Sequence, residues 1–178
     1  VGEAYIAAAV ALVIFGVIIG VLFGFLTEAR RSYTSTRQKA HYQQGLRAVM
    51  SLVTREVRSA GCDPVGAGFE RFPLADDNQL RCRMDLNGDT DVADTNPDED
   101  IVYAFAPGTG NLTRTAGGNA AVILRGLTDI TFNYYDDDGN LLPGVPLSAT
   151  DRANIRSVDL VMTGETDKHQ PASYTTRI

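Results

Sequence analysis

From Ala4 to Leu26 the chain carries no charged residue, and apolar side chains fill most positions. At about 1.5 Å per helical residue this run covers about 34 Å, enough to cross the hydrocarbon core of a bilayer. After Leu26 the chain changes character without a proline to break it. Residues 27–45 are polar on every face, with Ser32, Arg37, Lys39, Gln43 and Gln44 among them, which suits a helix that is not packed inside its own fold. From Leu46 the pattern becomes one-sided: Leu46, Val49, Met50, Val53, Val57 and Ala60 recur at helical spacing, and Arg47, Thr54, Arg55 and Arg58 take the other face. Together these patterns predict one long helix that ends at the Gly61-Cys62-Asp63-Pro64 break, its last turns docked on a sheet.

Beyond Gly61 the period shortens to two. Gln79–Met84, Ile101–Ala106, Asn111–Arg114, Ala120–Leu124, Asp129–Tyr135, Leu141–Leu142 and Ser157–Met162 read as short strands, punctuated by Pro107-Gly108, Gly117-Gly118, Asp138-Gly139 and Pro143-Gly144. Ile130, Phe132 and Tyr134 alternate with Thr131 and Asn133, as in a strand with one buried face, and Asp137-Asp138-Gly139-Asn140 predicts a hairpin turn. The expected class is α+β, a long N-terminal helix packed on an antiparallel sheet. The chain thus divides into three segments: an apolar helix over 1–26, its amphipathic continuation over 27–60, and a β-rich head over 61–178.

Charge sharpens that division. The net charge of −6 combines a stalk, residues 27–60, at +5 with a head, residues 61–178, at −10. Such a split describes either two ordinary solvated surfaces or complementary patches that set the register between copies. An acidic head is a poor partner for nucleic acid. Arg30 and Arg31, just past the apolar run, are placed to meet anionic lipid headgroups. By the positive-inside rule alone they put that end in the cytoplasm. The two cysteines, Cys62 and Cys82, favour an oxidising compartment and one disulfide, with two reduced thiols as the alternative. The apolar run is too long for the core of a cleaved signal peptide and is expected to stay in the protein. Within it Gly16, Gly20 and Gly24 share one helix face, where missing side chains admit a second helix.

Chemistry-bearing patterns are few. Asp85-Leu86-Asn87-Gly88-Asp89-Thr90-Asp91 sets oxygen donors at alternate positions, the spacing by which a loop wraps calcium. Thr90 and Asn96 then stand where a calcium loop of the EF-hand kind has glycine and a bidentate glutamate. The candidate ligands are Asp85, Asn87, Asp89 and Asp91, with Asp94, Asp98, Glu99 or Asp100 to close the site, and a solvated acidic loop is the other reading. His41 and His169 are too few and too scattered for a zinc site. No Gly-x-Ser-x-Gly, His-Glu-x-x-His or phosphate-cradling loop occurs, so no enzymatic activity and no required cofactor is expected.

Several stretches resemble type IV pilin-like proteins, in particular PilW-type minor pilins and J-type minor pseudopilins of type II secretion. They are Leu46-Arg47-Ala48 through Arg55-Glu56-Val57-Arg58-Ser59-Ala60-Gly61-Cys62, the run Leu124-Arg125-Gly126-Leu127-Thr128-Asp129-Ile130-Thr131-Phe132-Asn133-Tyr134 with Asp138-Gly139, and Tyr174-Thr175-Thr176-Arg177-Ile178. The resemblance implies processing by a prepilin peptidase, a single inner-membrane span with a periplasmic head, and extraction by the assembly machinery into a filament with other pilins or pseudopilins. In that family a glutamate at the fifth mature position pairs with a neighbour's N-terminal amine. Here the carboxylate is Glu3, Tyr5 stands fifth and Val1 first, which implies a mature end two residues upstream or an altered pairing. The alternatives are a pseudopilin of type II secretion and a solitary membrane-anchored periplasmic binding domain.

Overall fold

A computed structural model describes residues 2–166 and 170–177. The helix α1 runs Gly2–Ser59. The chain divides into two units, Val1–His41 and Tyr42–Ile178, so the last turns of α1 belong to the head. Within the first unit the described side chains are exposed, and Leu12–Tyr33 is a 22-residue span long and apolar enough to cross a membrane.

The head is α+β, but its strands form two sheets where one was expected. Strands β1 (Leu74–Ala75), β2 (Gln79–Arg83), β3 (Asp100–Ala106), β4 (Asn111–Ala116) and β5 (Asn119–Leu124) make an antiparallel meander in that order. Strands β6 (Leu127–Tyr135), β7 (Ser157–Thr166) and β8 (Gln170–Arg177) make the second. The division falls at Arg125-Gly126, where Gly126 has φ +77° and turns the chain out of the first sheet. The Leu141–Leu142 strand does not form. The turn closes around Asp136, whose carboxylate accepts from Asn140 N at 2.8 Å, and only Leu141 bridges back to Tyr135. A short helix α2 (Ala149–Asn154) was not foreseen, although Ser148 caps it by accepting from Asp151 N.

The expected stripe is the core face of α1. Leu46, Val49, Met50, Val53 and Val57 are buried with Leu80, Ile101, Tyr103 and Leu112 of the first sheet and Ile130, Phe132, Tyr134, Val158 and Leu160 of the second. Alternation holds in β6, where Ile130, Phe132 and Tyr134 are inside. Tyr42 sets the position of the first head turn of α1: its hydroxyl donates to the Gly126 carbonyl at 2.9 Å, and a Cβ at Gly164 would overlap that hydroxyl.

One charged residue sits on this apolar stripe. Glu56 is 8% exposed and accepts from the Tyr103 hydroxyl and from Arg114 Nε and Nη2 at 3.1 and 3.0 Å. Tyr103 and Arg114 are register partners on β3 and β4, so two adjacent strands converge on one carboxylate of the helix. Arg114 also pairs with Asp98 at 3.0 Å. Burial and then the Glu56 hydrogen bond push the Tyr103 hydroxyl up from its ordinary value. For Arg114 burial acts downward, and the hydrogen bonds to Glu56 and Asp98 outweigh it, so its pKa is raised.

Replacing Glu56 with Ala leaves Arg114 and the Tyr103 hydroxyl without their shared acceptor. A loss of about 3 kcal/mol is expected for Glu56→Ala in urea unfolding of the detergent-solubilised chain, and a smaller one for Glu56→Gln. On the outer side of the same sheet Asp100 holds Arg81 and Arg83. Burial raises the Asp100 carboxyl, and the two arginine hydrogen bonds outweigh that and hold it below its ordinary value. Its stabilising contribution is therefore complete above the unfolded aspartate value of about 3.9 and fades as pH falls through the lower folded value. Urea midpoints at pH 6 and pH 3 should fall less in Asp100→Asn than in wild type.

Candidate functional site

The segment between β2 and β3 is built by carboxylates that gather backbone amides. Asp85, following the last residue of β2 by two positions, accepts from Gly88 N at 2.6 Å and Thr90 N at 3.2 Å, which folds the loop back on its own start. Gly88 and Thr90 adopt φ +79° and +80° to make this reversal. Glu99, just before β3, reaches back and accepts from Leu86 N at 2.7 Å and Asn87 N at 3.2 Å. Farther out, Asp89 accepts from Asp91 N and Asp91 from Ala93 N, an outer succession of tight turns.

Of the four ligands expected from spacing, the loop brings Asp85 and Asp89 together, and the third member is Glu99. One oxygen of each lies within 4.8 Å of the others. Asp91 joins a second group with Asp89 and Asp94 on the outer side of the loop. Asn87 is held within the loop: its side-chain amide donates to Asp89 at 3.0 Å and to Asp94 at 2.6 Å, and its carbonyl oxygen accepts from Asp89 N at 3.0 Å. Asp98 and Asp100 are turned away and engaged with arginines. The Asp94 carboxyl is raised by desolvation first and then by the charges of Asp89 and Asp91.

The expected disulfide is not formed: Cys62 and Cys82 are both free. In β2 the inward positions are Leu80 and Cys82, and Cys82 Sγ lies 3.8 Å from the Ile101 carbonyl in the core. The helix break meets the strand by backbone instead, Gly61 N to Arg83 O and Asp85 N to Cys62 O, both at 2.8 Å, and leaves Cys62 exposed. Burial, and then the charges of Glu56 and Asp100, push the Cys82 thiol up to about 12. After Cys62, the Asp63 carboxylate collects the amides of Gly68, Ala67 and Gly66 and is held below the ordinary carboxylate range by them. That acceptor was not singled out from the sequence, although it opens an Asp-Pro-x-Gly-x-Gly run of the kind that folds around a carboxylate.

Among the membrane-helix candidates, Gly16, Gly20 and Gly24 have open space where a Cβ would stand. Arg30, Arg31 and His41 are exposed on α1. Val1 and His169 lie outside the described residues, as does the side chain of Glu3. Glu56 and Arg114, which tie the helix to the sheet, were not identified from the sequence.

No protein-family model and no curated protein matches this chain.

Reaction of the folded chain with a maleimide should modify one thiol, Cys62, with Cys82 reacting only after denaturation. Mass spectrometry after tryptic digestion reads the site, and a chain with no reactive thiol before reduction would restore the disulfide.

Proposed function

We propose that this chain is a structural subunit of the type IV pilin kind, a minor pilin that is held in the inner membrane by its N-terminal helix and assembles through that helix into a filament. One observation carries the reading: α1 supplies both the exposed membrane-length span Leu12–Tyr33 and, in Leu46, Val49, Val53 and Val57, part of the core of the head. A helix that serves only as a tether has no need to be an integral part of the fold it tethers. The charged residues at the end of the span and beyond it support the reading, since Glu28, Arg30, Arg31 and Arg37 are exposed and offer contacts to neighbouring subunits or headgroups. The resemblance of the helix break and of the Leu124–Tyr134 run to PilW-type proteins points the same way. In this role the head's chemistry is recognition and packing.

The open glycine face provides the test. A Cβ at position 20 meets nothing within 4 Å in the single chain, so the effect of a side chain there reports contacts between chains. Gly20→Leu should stay in the membrane fraction with an unchanged head and lose about tenfold in co-purification between two differently tagged copies, or in recovery from sheared filaments. Wild-type recovery of the variant would favour the solitary anchored binding domain.

A further inference from the structure

The head distributes its arginines unevenly. Glu56 and Asp98 share Arg114, Asp100 holds Arg81 and Arg83, and Glu70 pairs with Arg152. Asp85 and Glu99 are more deeply buried than any of these, both 0% exposed, yet neither is paired with a basic side chain among the described residues. A buried carboxylate without a counter-charge is among the costliest groups a fold can hold. Backbone amides offset part of that cost at Asp85 and at Glu99 Oε1. Glu99 Oε2 is left over, buried and without a hydrogen-bond partner among the described residues. Asp89 approaches the same place from the exposed side of the loop, which puts one oxygen of each of three carboxylates within 4.8 Å of the others at a point where no basic side chain among the described residues pairs with Asp85 or Glu99.

We propose that Asp85, Asp89 and Glu99 bind a calcium ion. The donors are all oxygens, which excludes the softer metals that select sulfur or imidazole. Three carboxylates on one loop, with backbone carbonyls and water to complete the shell, suit a cation that accepts six to eight oxygens in irregular geometry better than magnesium, which keeps its waters. Each oxygen of Asp85 accepts one amide and keeps a lone pair for the ion, and Glu99 offers Oε2, which accepts none. The ion belongs to this inner group and not to Asp89, Asp91 and Asp94, because Glu99 Oε2, buried and without a hydrogen-bond partner among the described residues, lies in the inner group, while Asp91 and Asp94 stand on the outer side of the loop with Ala93 N on Asp91 and the Asn87 amide on Asp94. Glu99 enters from 14 positions beyond Asp85, outside the spacing of a continuous calcium loop, and supplies from the edge of β3 the acid that the loop pattern lacks.

The experiment is calorimetric titration of calcium chloride into the full chain in detergent after removal of metal with a chelator, with thermal melts in parallel and magnesium chloride as the comparison. Wild type should bind close to one calcium per chain and melt at a higher temperature in its presence, because an ion bound to the folded state alone stabilises it by mass action. Glu99→Gln should weaken calcium binding at least about tenfold, since affinity follows the count of ligand charges. Asp89→Asn, at an exposed position, should do the same, while Asp94→Asn should change affinity by less than about threefold. Absence of heat and of a melting shift in wild type at millimolar calcium overturns the proposal. So does a loss in Asp94→Asn as large as that in Asp89→Asn with Glu99→Gln unaffected, which would move the ion to the outer group. A third contrary result is a Glu99→Gln variant that melts higher than wild type and wild type that ignores calcium, the mark of a carboxylate that serves no ion.

Discussion

Glu56 is the point on which the head's geometry turns. A carboxylate inside an apolar stripe is tolerated only where its partners are fixed, and here they come from two neighbouring strands, the Tyr103 hydroxyl from β3 and the Arg114 guanidinium from β4. Apolar contacts such as those of Val53 with the core are permissive about rotation and sliding; a bidentate arginine is not. The helix is therefore registered against the sheet both along its axis and about it. The continuation of the contact through Arg114 to Asp98 ties the start of β3, and with it the end of the acidic loop, to the same residue of the helix.

How much of this was legible depends on which physical signal each element leaves. The stripe from Leu46 to Val57 and the alternation in β6 come from burial of one face, and both are present as read. Two sheets instead of one turn on the backbone of Gly126, and a single glycine between two β-prone runs looks the same whether the next strand continues a sheet or leaves it. Glu56 did leave a trace, three positions after Val53 and within the buried stripe. Arg114 left another, alternating with Leu112 and Ala116 on the inward side of β4. A charge at a core position in one element calls for an opposite charge at a core position in another, and neither trace is decisive until the two are placed side by side.

The loop between β2 and β3 shows the same limit in another form. Spacing in the Asp85–Asp91 run describes a continuous wrap, and two of its members do meet. Asn87 gives its amide to Asp89 and Asp94, Asp91 joins Asp94 on the outer side, and the strand edge supplies Glu99 from farther along. The cysteines are decided by pleating: Cys82 falls on the inward side of β2, while the helix break is stitched to that strand by its backbone, so one sulfur ends in the core and the other in solvent. Residue types and spacing identify such groups, and the parity of a strand decides which of them can meet.

Tyr42 and Gly164 bear on how freely the helix and the head can be recombined. The phenol lies where a side chain at position 164 would be, so the aromatic on the helix and the bare backbone on β7 are two halves of one fitted joint. Exchange of helices between heads is thus no matter of matching apolar stripes alone. A donor helix without an aromatic at that turn would leave a notch beside β7, and a recipient head with any larger residue in the notch would refuse the tyrosine. Helix and head are inherited as a pair.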